Sequence, residues 1–319
     1  MSKQPKRRPA QKNRPQQRKG KTAAAAKSAR KGSDRTMWIV AAVVLVVGAS
    51  LVFVFAKNTK TTGTPPIKGR KDAPASLVKK VTTIPTTVTN EVGAGSVTAL
   101  PTKLPGPPLL TSDGKPRIIY MGAEYCPYCA TERWGMVNAL SRFGTFSGLK
   151  ITTSAARTSQ GSPEVFPNTP TFSFYGSTYK SDYISWEPVE EQTNSYEQLE
   201  KRPPEQEELL NKYDAPPYTD AQSTGAIPFI DFANQYMIDG ASYDAQVLAD
   251  KTHTEVASAM TDPSTDISKG AVGTANVMTA TICATTGNKP TNVCNEPAIK
   301  TIQSALNAQT VPTTTTTPK

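Results

Sequence analysis

The pair Cys126 and Cys129 constrains the fold of this chain more than any other feature of its sequence. The pair follows an apolar run at residues 118–121, which predicts a short buried strand that ends at Gly122. After Cys126, apolar residues recur every three or four positions as far as Phe143, which predicts a helix. The sequence therefore predicts two cysteines at the N-terminus of a helix that directly follows a strand.

This position would make the first cysteine reactive. Pro127 fits the first turn of a helix, where a missing amide hydrogen costs nothing. The unpaired amides and the positive end of the helix dipole favour a thiolate at Cys126. Cys129 lies close enough in sequence to form a disulfide with it. The arrangement is the one that dithiol–disulfide exchange requires.

Zinc binding and a purely structural disulfide are the alternatives to redox chemistry at these cysteines. A structural zinc site needs four Cys or His ligands. The chain offers only Cys283, Cys294 and His253 besides the pair, and they form no second pair of the same spacing. A structural disulfide would not need to lie between a strand and a helix. Redox exchange is therefore the favoured interpretation, and we expect no metal and no cofactor.

The strand, the cysteine pair and the helix together resemble the active-site region of the thioredoxin superfamily. The dipeptide Pro127–Tyr128 between the cysteines is the one usual in glutaredoxins. The wider sequence resembles a membrane-anchored thioredoxin-like family known as domain of unknown function 929, over roughly residues 92 to 308. The matching segments are residues 122–130, 132–134, 141–144, 170–176 and 227–229. The resemblance implies an α/β fold of the thioredoxin type and a thiol–disulfide oxidoreductase or isomerase activity.

The resemblance also implies further site residues. In thioredoxin-like proteins a cis-proline loop faces the cysteine pair and exposes backbone to the substrate, and Ile227–Pro228 would be that loop here. Thioredoxin has a buried acid six residues before its first cysteine, where this chain has Tyr120. Glu124 or Glu132 is a candidate proton shuttle in its place, although the simpler interpretation puts both carboxylates at the surface.

The two cysteines are expected to have different tasks. Cys126 would be the partly exposed nucleophile that forms a mixed disulfide with the substrate, and the more buried Cys129 would resolve it. The direction of electron flow stays open, because Tyr128 supplies no cation next to the nucleophile. A glutaredoxin-type reduction potential is about −200 to −230 mV.

The N-terminal part of the chain predicts a membrane anchor. Residues 1–36 carry thirteen Lys and Arg against one acid, which predicts a disordered cytoplasmic tail. Residues 37–56 are uncharged, and such a helix spans about 30 Å. The basic residues before it predict a single-pass topology with an extracytoplasmic C-terminal domain. A cleaved signal peptide and a nucleic-acid-binding tail are the weaker interpretations.

The rest of the chain divides by composition. Residues 57–90 predict an extended Pro/Thr-rich linker, residues 91–308 the domain, and residues 309–319 a disordered Thr/Pro tail. Residues 91–111 predict an edge strand or an ordered arm. Residues 189–224 predict an insertion with a short helix at about 204–211. This insertion is either a platform for a substrate or a lid over the core.

Periodicity predicts the remaining elements of the domain. The predicted strands are 117–121, 149–153, 171–175, 181–189 and a hairpin within 225–238, and the predicted helices are 126–143, 243–260, 272–286 and 297–308. Cys283 and Cys294 lie between the last two helices. Outside the cell they would form a structural disulfide, and a second redox pair is the less favoured alternative.

These features predict a membrane-tethered extracytoplasmic enzyme that forms, isomerises or reduces the disulfides of exported proteins. A membrane redox partner could recharge it. The alternative is a non-catalytic cell-envelope binding or scaffold module in which the cysteine pair is a structural disulfide. The reduction potential of the pair separates the two, because inert structural disulfides lie below about −300 mV.

Overall fold

The computed structural model of the protein describes residues 69–106 and 108–313. The predicted cytoplasmic tail at residues 1–36, the predicted membrane helix at residues 37–56 and the last residues, 314–319, lie outside this part of the chain. Within it, no helix is both long enough and apolar enough to cross a membrane.

The described residues form a mixed α/β structure. Its strands are β1 (Lys71–Asp72), β2 (Thr102–Lys103), β3 (Thr111–Ser112), β4 (Lys115–Gly122), β5 (Gly144–Ser147), β6 (Lys150–Thr153), β7 (Pro170–Ser173), β8 (Thr178–Ser181), β9 (Ser185–Glu190), β10 (Phe229–Phe232) and β11 (Tyr236–Asp239). Its helices are α1 (Ala75–Thr82), α2 (Thr86–Val92), α3 (Pro127–Leu140), α4 (Pro204–Tyr213), α5 (His253–Ala259), α6 (Asp266–Thr285), α7 (Thr291–Cys294) and α8 (Pro297–Asn307), with a 3₁₀ turn at Ala245–Leu248.

The apolar strand β4 lies at the centre of the largest sheet. It pairs in parallel with β9 and antiparallel with β10, and the hairpin β10–β11 continues the sheet to the edge strand β2. Residues 118–121 are all buried, as a nearly continuous apolar run predicts for a strand that is covered on both faces. In the register, Met121 lies opposite Phe229. The end of β4 and the start of β10 therefore meet at the same edge of the sheet.

Helix α3 follows β4 and packs closely against α6. A Cβ atom at Gly135 would lie 2.6 Å from Cγ2 of Thr274, so only glycine permits this approach of the two helices. These helices and one face of the sheet enclose the larger apolar cluster. On the other face, Leu210 and Tyr213 of α4 close a smaller cluster with Ile119 and Phe229. The polar segment 189–224 thus supplies a helix that covers one face of the sheet.

The prediction of an extended linker as far as residue 90 is wrong from residue 69 onward. Helices α1 and α2 lie there, and Leu77, Val81 and Val88 are buried. The Thr-, Pro- and Lys-rich composition of this segment concealed the four-residue spacing of Leu77 and Val81, which places both on one helix face. The folded domain therefore begins at least twenty residues earlier than the composition indicated.

The predicted strands at 149–153 and 171–175 are present as β6 and β7, and they lie in a separate three-stranded sheet of order β1–β6–β7. Another prediction differs from the structure in detail, because the predicted helix at 243–260 is divided into the 3₁₀ turn and α5. Asp250 lies between them with φ of +58°, a conformation that does not continue a helix.

Cys283 and Cys294 form a disulfide, as predicted. Cys283 lies near the end of α6 and Cys294 at the end of α7, and both side chains are buried within the larger cluster. A sulfur pair that no solvent reaches is poorly placed to exchange with other thiols. The position therefore favours a structural disulfide over a second redox pair.

Replacing both Cys283 and Cys294 with alanine should lower the free energy of unfolding by about 3 kcal/mol, because the disulfide closes a loop in the unfolded chain. Urea unfolding of the purified protein measures this change. Unchanged stability would contradict a structural role. Loss of thiol exchange at Cys126 with unchanged stability would instead indicate a redox relay.

Candidate functional site

Cys126 is the N-cap residue of α3. Its backbone is extended, with φ of −74° and ψ of 120°, and its Sγ accepts a hydrogen bond from the backbone N–H of Cys129 at 3.2 Å. Pro127 occupies the first helical position, which needs no amide donor. Both cysteines are free thiols. The first sulfur thus lies where the helix end presents an unpaired amide to an anion.

The structure brings Cys126 next to the loop that contains Ile227 and Pro228. The thiol of Cys126 lies 3.5 Å from the carbonyl oxygen of Ile227 and donates to it. The Ile227–Pro228 peptide bond is cis, the isomer that the resemblance implied. Because Phe229 pairs with Met121 in the register of β10 and β4, this loop is held at the edge of the sheet where α3 begins.

The two cysteines differ in burial less than the sequence suggested. Cys126 keeps 5% of its surface exposed and Cys129 none. The prediction of a partly exposed Cys126 is therefore wrong in degree, because the Ile227 carbonyl lies over its sulfur. The predicted order, with Cys129 the deeper of the two, agrees with the structure.

An open groove of about 510 Å³ lies beside the proline loop. Ile227 lines it, together with the aromatic residues Tyr128 and Phe166. Tyr128 is 43% exposed, and its ring meets that of Phe166 edge to face at 5.9 Å. Tyr128, which lies between the cysteines, is therefore an exposed part of the groove wall.

The surroundings shift the two thiols in opposite directions. The pKa of Cys126 is lowered, first by the hydrogen bond between its sulfur and the side chain of Cys129, and further by backbone amides and the charge of Arg133. The pKa of Cys129 is raised well above its ordinary value, first by burial and then by the neighbouring Cys126. Cys126 is thus the thiol that ionises more readily, and Cys129 stays protonated.

Arg133 is the buried cation of the site, and the sequence reasoning missed it. Its side chain is completely buried and forms two hydrogen bonds with the Glu190 carboxylate, at 2.9 and 2.6 Å. Its Nη2 also donates to the carbonyl of Ala123 at 2.8 Å. Its position four residues after Cys129 on the helix was a signal that could have indicated a shared face.

Burial alone would lower the pKa of Arg133, but Glu190 and the nearby groups raise it above its ordinary value. The guanidinium is therefore charged whenever the protein is folded. Its charge stabilises the thiolate form of both cysteines.

The predicted proton shuttle residue Glu124 is buried. The interpretation that it lies at the surface is wrong. Its carboxylate pairs with Arg70, with Nε at 2.6 Å from Oε1, and accepts a hydrogen bond from the hydroxyl of Ser173. These contacts anchor the segment that leads to Cys126.

The second candidate shuttle, Glu132, is also buried rather than at the surface. Its carboxylate accepts hydrogen bonds from the backbone N–H of Ser242 at 2.8 Å and from the Ser242 hydroxyl at 2.6 Å. Burial raises the pKa of Glu132 to about 7. Neither Glu124 nor Glu132 has a hydrogen bond to a cysteine, and the shuttle role stays a prediction.

Comparison with known proteins identifies one family. The family model described as "Domain of unknown function (DUF929)" matches residues 106–284, which is more than half of the 319 residues. Neither the curated proteins nor the solved structures contain a match.

Iodoacetamide should alkylate Cys126 of the reduced, folded protein and leave Cys129 unmodified. The physical reason is that Cys126 has the lowered pKa and the remaining exposure, whereas Cys129 is enclosed and protonated. Mass spectrometry of the digested protein measures both sites over a pH series. The midpoint for Cys126 should lie below the ordinary thiol value of about 8.5. Equal modification of both cysteines would contradict the assignment.

Glu132→Gln should alter how stability depends on pH. Between its ordinary value of 4.5 and about 7, the folded protein keeps a proton on Glu132 that the unfolded chain releases. The free energy of unfolding of the parent protein therefore falls by about 3 kcal/mol in total as pH rises through this window. Above about pH 7, Glu132 causes no further loss. Glutamine can keep both contacts with Ser242 and has no proton to lose.

Urea unfolding of the parent and of Glu132→Gln at several pH values tests this. The stability of the variant relative to the parent should rise by about 3 kcal/mol from about pH 4 to about pH 8. Other buried acids are shared by both proteins and cancel in the difference. A difference that does not depend on pH would show that Glu132 titrates normally.

Proposed function

This chain belongs to the family of unknown function DUF929, and we propose that it is a thiol–disulfide oxidoreductase of thioredoxin-like type. The observation that carries the proposal is the placement of the Cys126 sulfur. It lies at the N-terminus of α3, 3.2 Å from the backbone nitrogen of Cys129 and 3.5 Å from the carbonyl of Ile227. A structural disulfide needs neither the helix end nor the facing loop.

The opposite pKa shifts support separate roles for the two thiols. When the protein reduces a substrate, the Cys126 thiolate attacks the substrate disulfide, forms a mixed disulfide and releases one substrate thiolate. Cys129 then loses its proton to solvent and attacks the Cys126 sulfur. This second step forms the Cys126–Cys129 disulfide and releases the other substrate thiolate. Two electrons pass from the protein to the substrate.

The reverse sequence forms disulfides. A substrate thiolate attacks Cys126 of the oxidised protein, and Cys129 leaves as a thiolate that takes up a proton. A second substrate thiolate then displaces Cys126 and closes the substrate disulfide, so that two electrons reach the protein. Renewing the protein requires a two-electron oxidant, for which a membrane redox partner is our proposal. Isomerisation uses both sequences and needs no net oxidant.

The local architecture supports the thioredoxin-like part of the proposal. A buried strand leads into a helix that begins with the cysteine pair, and an antiparallel hairpin, β10–β11, lies beside the strand with a cis-proline at its start. The helix α6 packs on the same face as α3. We propose that segments 69–92 and 189–224 are additions to this common core.

The sequence supports an extracytoplasmic site of action. The uncharged residues 37–56 follow a strongly basic segment, the pattern of a single-pass anchor with a cytoplasmic N-terminus. The Cys283–Cys294 disulfide accords with an oxidising compartment. We propose that the substrates are exported proteins that contain cysteines, and that the protein does not act on nucleic acid.

The proposal predicts different adducts for the two single-cysteine variants. When Cys129→Ser is mixed with ribonuclease A whose disulfides have been scrambled, a covalent complex should accumulate, because nothing resolves the mixed disulfide. Cys126→Ser should form none, because the nucleophile is missing. A non-reducing gel, with a reduced lane beside it, measures the adduct.

The double variant Cys126→Ser/Cys129→Ser is the control for adducts through other thiols. Adducts of similar amount with all three variants would refute the roles given to the cysteines. A reduction potential of the parent pair below about −300 mV would instead support the scaffold alternative.

A further inference from the structure

The hydroxyl of Tyr120 is a buried polar group that none of the steps above uses. Tyr120 lies in β4 and has no exposed surface. Its ring packs edge to face against Phe174 at 5.5 Å and stacks on Trp186 at 6.2 Å, which fixes the direction of the hydroxyl. Among residues 69–106 and 108–313, the hydroxyl has no hydrogen-bond partner. Buried polar groups are rarely left in this state, because each loses its contacts with water.

The space beside Gly122 connects this hydroxyl with the resolving cysteine. A Cβ atom built on Gly122 would lie 2.1 Å from the Tyr120 hydroxyl oxygen and 3.1 Å from Sγ of Cys129. The hydroxyl therefore fills the space that a side chain at residue 122 would occupy, and the Cys129 sulfur borders the same space. The two groups are neighbours because residue 122 has no side chain.

The charge of Arg133 favours an anion at the Cys129 sulfur. The Arg133 guanidinium carbon lies 5.7 Å from the centroid of the Tyr120 ring, and its charge stabilises the thiolates of Cys126 and Cys129. The charge of Arg133 lowers the pKa of the Tyr120 hydroxyl, and the charge of Glu190, its ion-pair partner, raises it. Burial and the negative groups raise the pKa of Tyr120 well above its ordinary value. The hydroxyl therefore keeps its proton, and it can donate a hydrogen bond without transferring that proton.

We propose that Tyr120 is a catalytic residue of this site, whose hydroxyl donates a hydrogen bond to the Cys129 sulfur while that sulfur is a thiolate. This inference rests on the proposed exchange function, in which Cys129 must become a thiolate in order to resolve the mixed disulfide. A buried thiolate is costly unless a donor or a cation stabilises it. Tyr120 supplies the donor and Arg133 the cation. The proton of Cys129 itself goes to solvent.

The other polar candidates are engaged elsewhere. Glu124 is paired with Arg70, and Glu132 with Ser242. Tyr125 also feels the charge of both cysteines, but its ring stacks on Tyr196 at 4.5 Å. Tyr120 is the residue whose buried hydroxyl both lacks a partner and borders the Cys129 sulfur.

The test uses the reduced full-length protein and the aromatic disulfide 5,5′-dithiobis(2-nitrobenzoate). Cys126 attacks this disulfide and releases a first coloured thiolate. Cys129 then attacks the mixed disulfide, closes the Cys126–Cys129 bond and releases a second. Absorbance in a stopped-flow instrument therefore separates the two steps, and the reagent supplies the oxidising equivalents.

Tyr120→Phe removes only the hydroxyl. It should slow the second release about tenfold or more, because a hydrogen bond to a charged group is lost, and should move the pH midpoint of that phase upward. The first release should be unchanged. Tyr213→Phe is the matched control, because Tyr213 is another fully buried tyrosine whose hydroxyl has no partner, and it lies in the cluster on the opposite face of the sheet. This control should leave both phases unchanged.

Four results would overturn the inference. An unchanged second phase in Tyr120→Phe, or equal slowing of both phases, would show that the hydroxyl does not act on Cys129. Equal effects of Tyr120→Phe and Tyr213→Phe would indicate a general loss of packing. If the parent protein releases no second thiolate, Cys129 does not resolve, and the proposed exchange function fails together with the inference.

Discussion

The ion pair between Arg133 and Glu190 is the interaction on which the rest of the site depends. It joins the middle of α3 to the end of β9, and both side chains are completely buried. Around it, the Glu190 carboxylate accepts a hydrogen bond from the backbone N–H of Phe174 at 3.1 Å, and Arg133 donates to the carbonyl of Ala123. Helix α3, strand β9 and the turn at Ala123 are thus all bonded to this one ion pair.

Such a pair is not an efficient way to stabilise a fold. Removing two charges from water costs several kcal/mol for each ion, and only good geometry with additional hydrogen bonds repays it. Here the geometry is two-pronged and the remaining contacts go to backbone groups, so the pair can persist. Its more distinctive consequence is electrostatic, because it keeps a permanent cation beneath two sulfurs that have little contact with water. Burial raises the pKa of Glu190, and Arg133 opposes that shift.

The two neighbouring thiols acquire different properties from the contacts of their side chains. Burial disfavours the thiolate of both, and the charge of Arg133 favours it at both. At Cys126, the hydrogen bond with the Cys129 side chain and the backbone amides of the helix end lower the pKa further. At Cys129, burial has the largest effect and the hydrogen bond with Cys126 also raises the pKa, so this thiol stays protonated. The difference between the thiols therefore arises from the helix end and from the hydrogen bond between the two side chains, whereas Arg133 acts on both.

How much the sequence could predict depends on how far apart along the chain the contacting residues lie. The strand, the cysteine pair and the start of α3 depend on neighbours within a few residues, and the sequence pattern located them. Arg133 was visible as a helix neighbour of Cys129, but Glu190 lies 57 residues further along, and only the parallel pairing of β9 with β4 brings it close. The unpartnered state of the Tyr120 hydroxyl depends equally on the packing of Phe174 and Trp186.

The N-terminal segment shows why composition was misleading here. Residues 69–72 resemble linker in their charge and polarity, yet Arg70 pairs with Glu124 and lies 4.6 Å from the ring of Tyr175. Strand β1 also pairs with β6. Glu124 precedes Cys126 by two residues, so this contact steadies the turn that delivers the nucleophile to the helix end. A carboxylate held in this way supports the site by fixing the backbone that leads to Cys126.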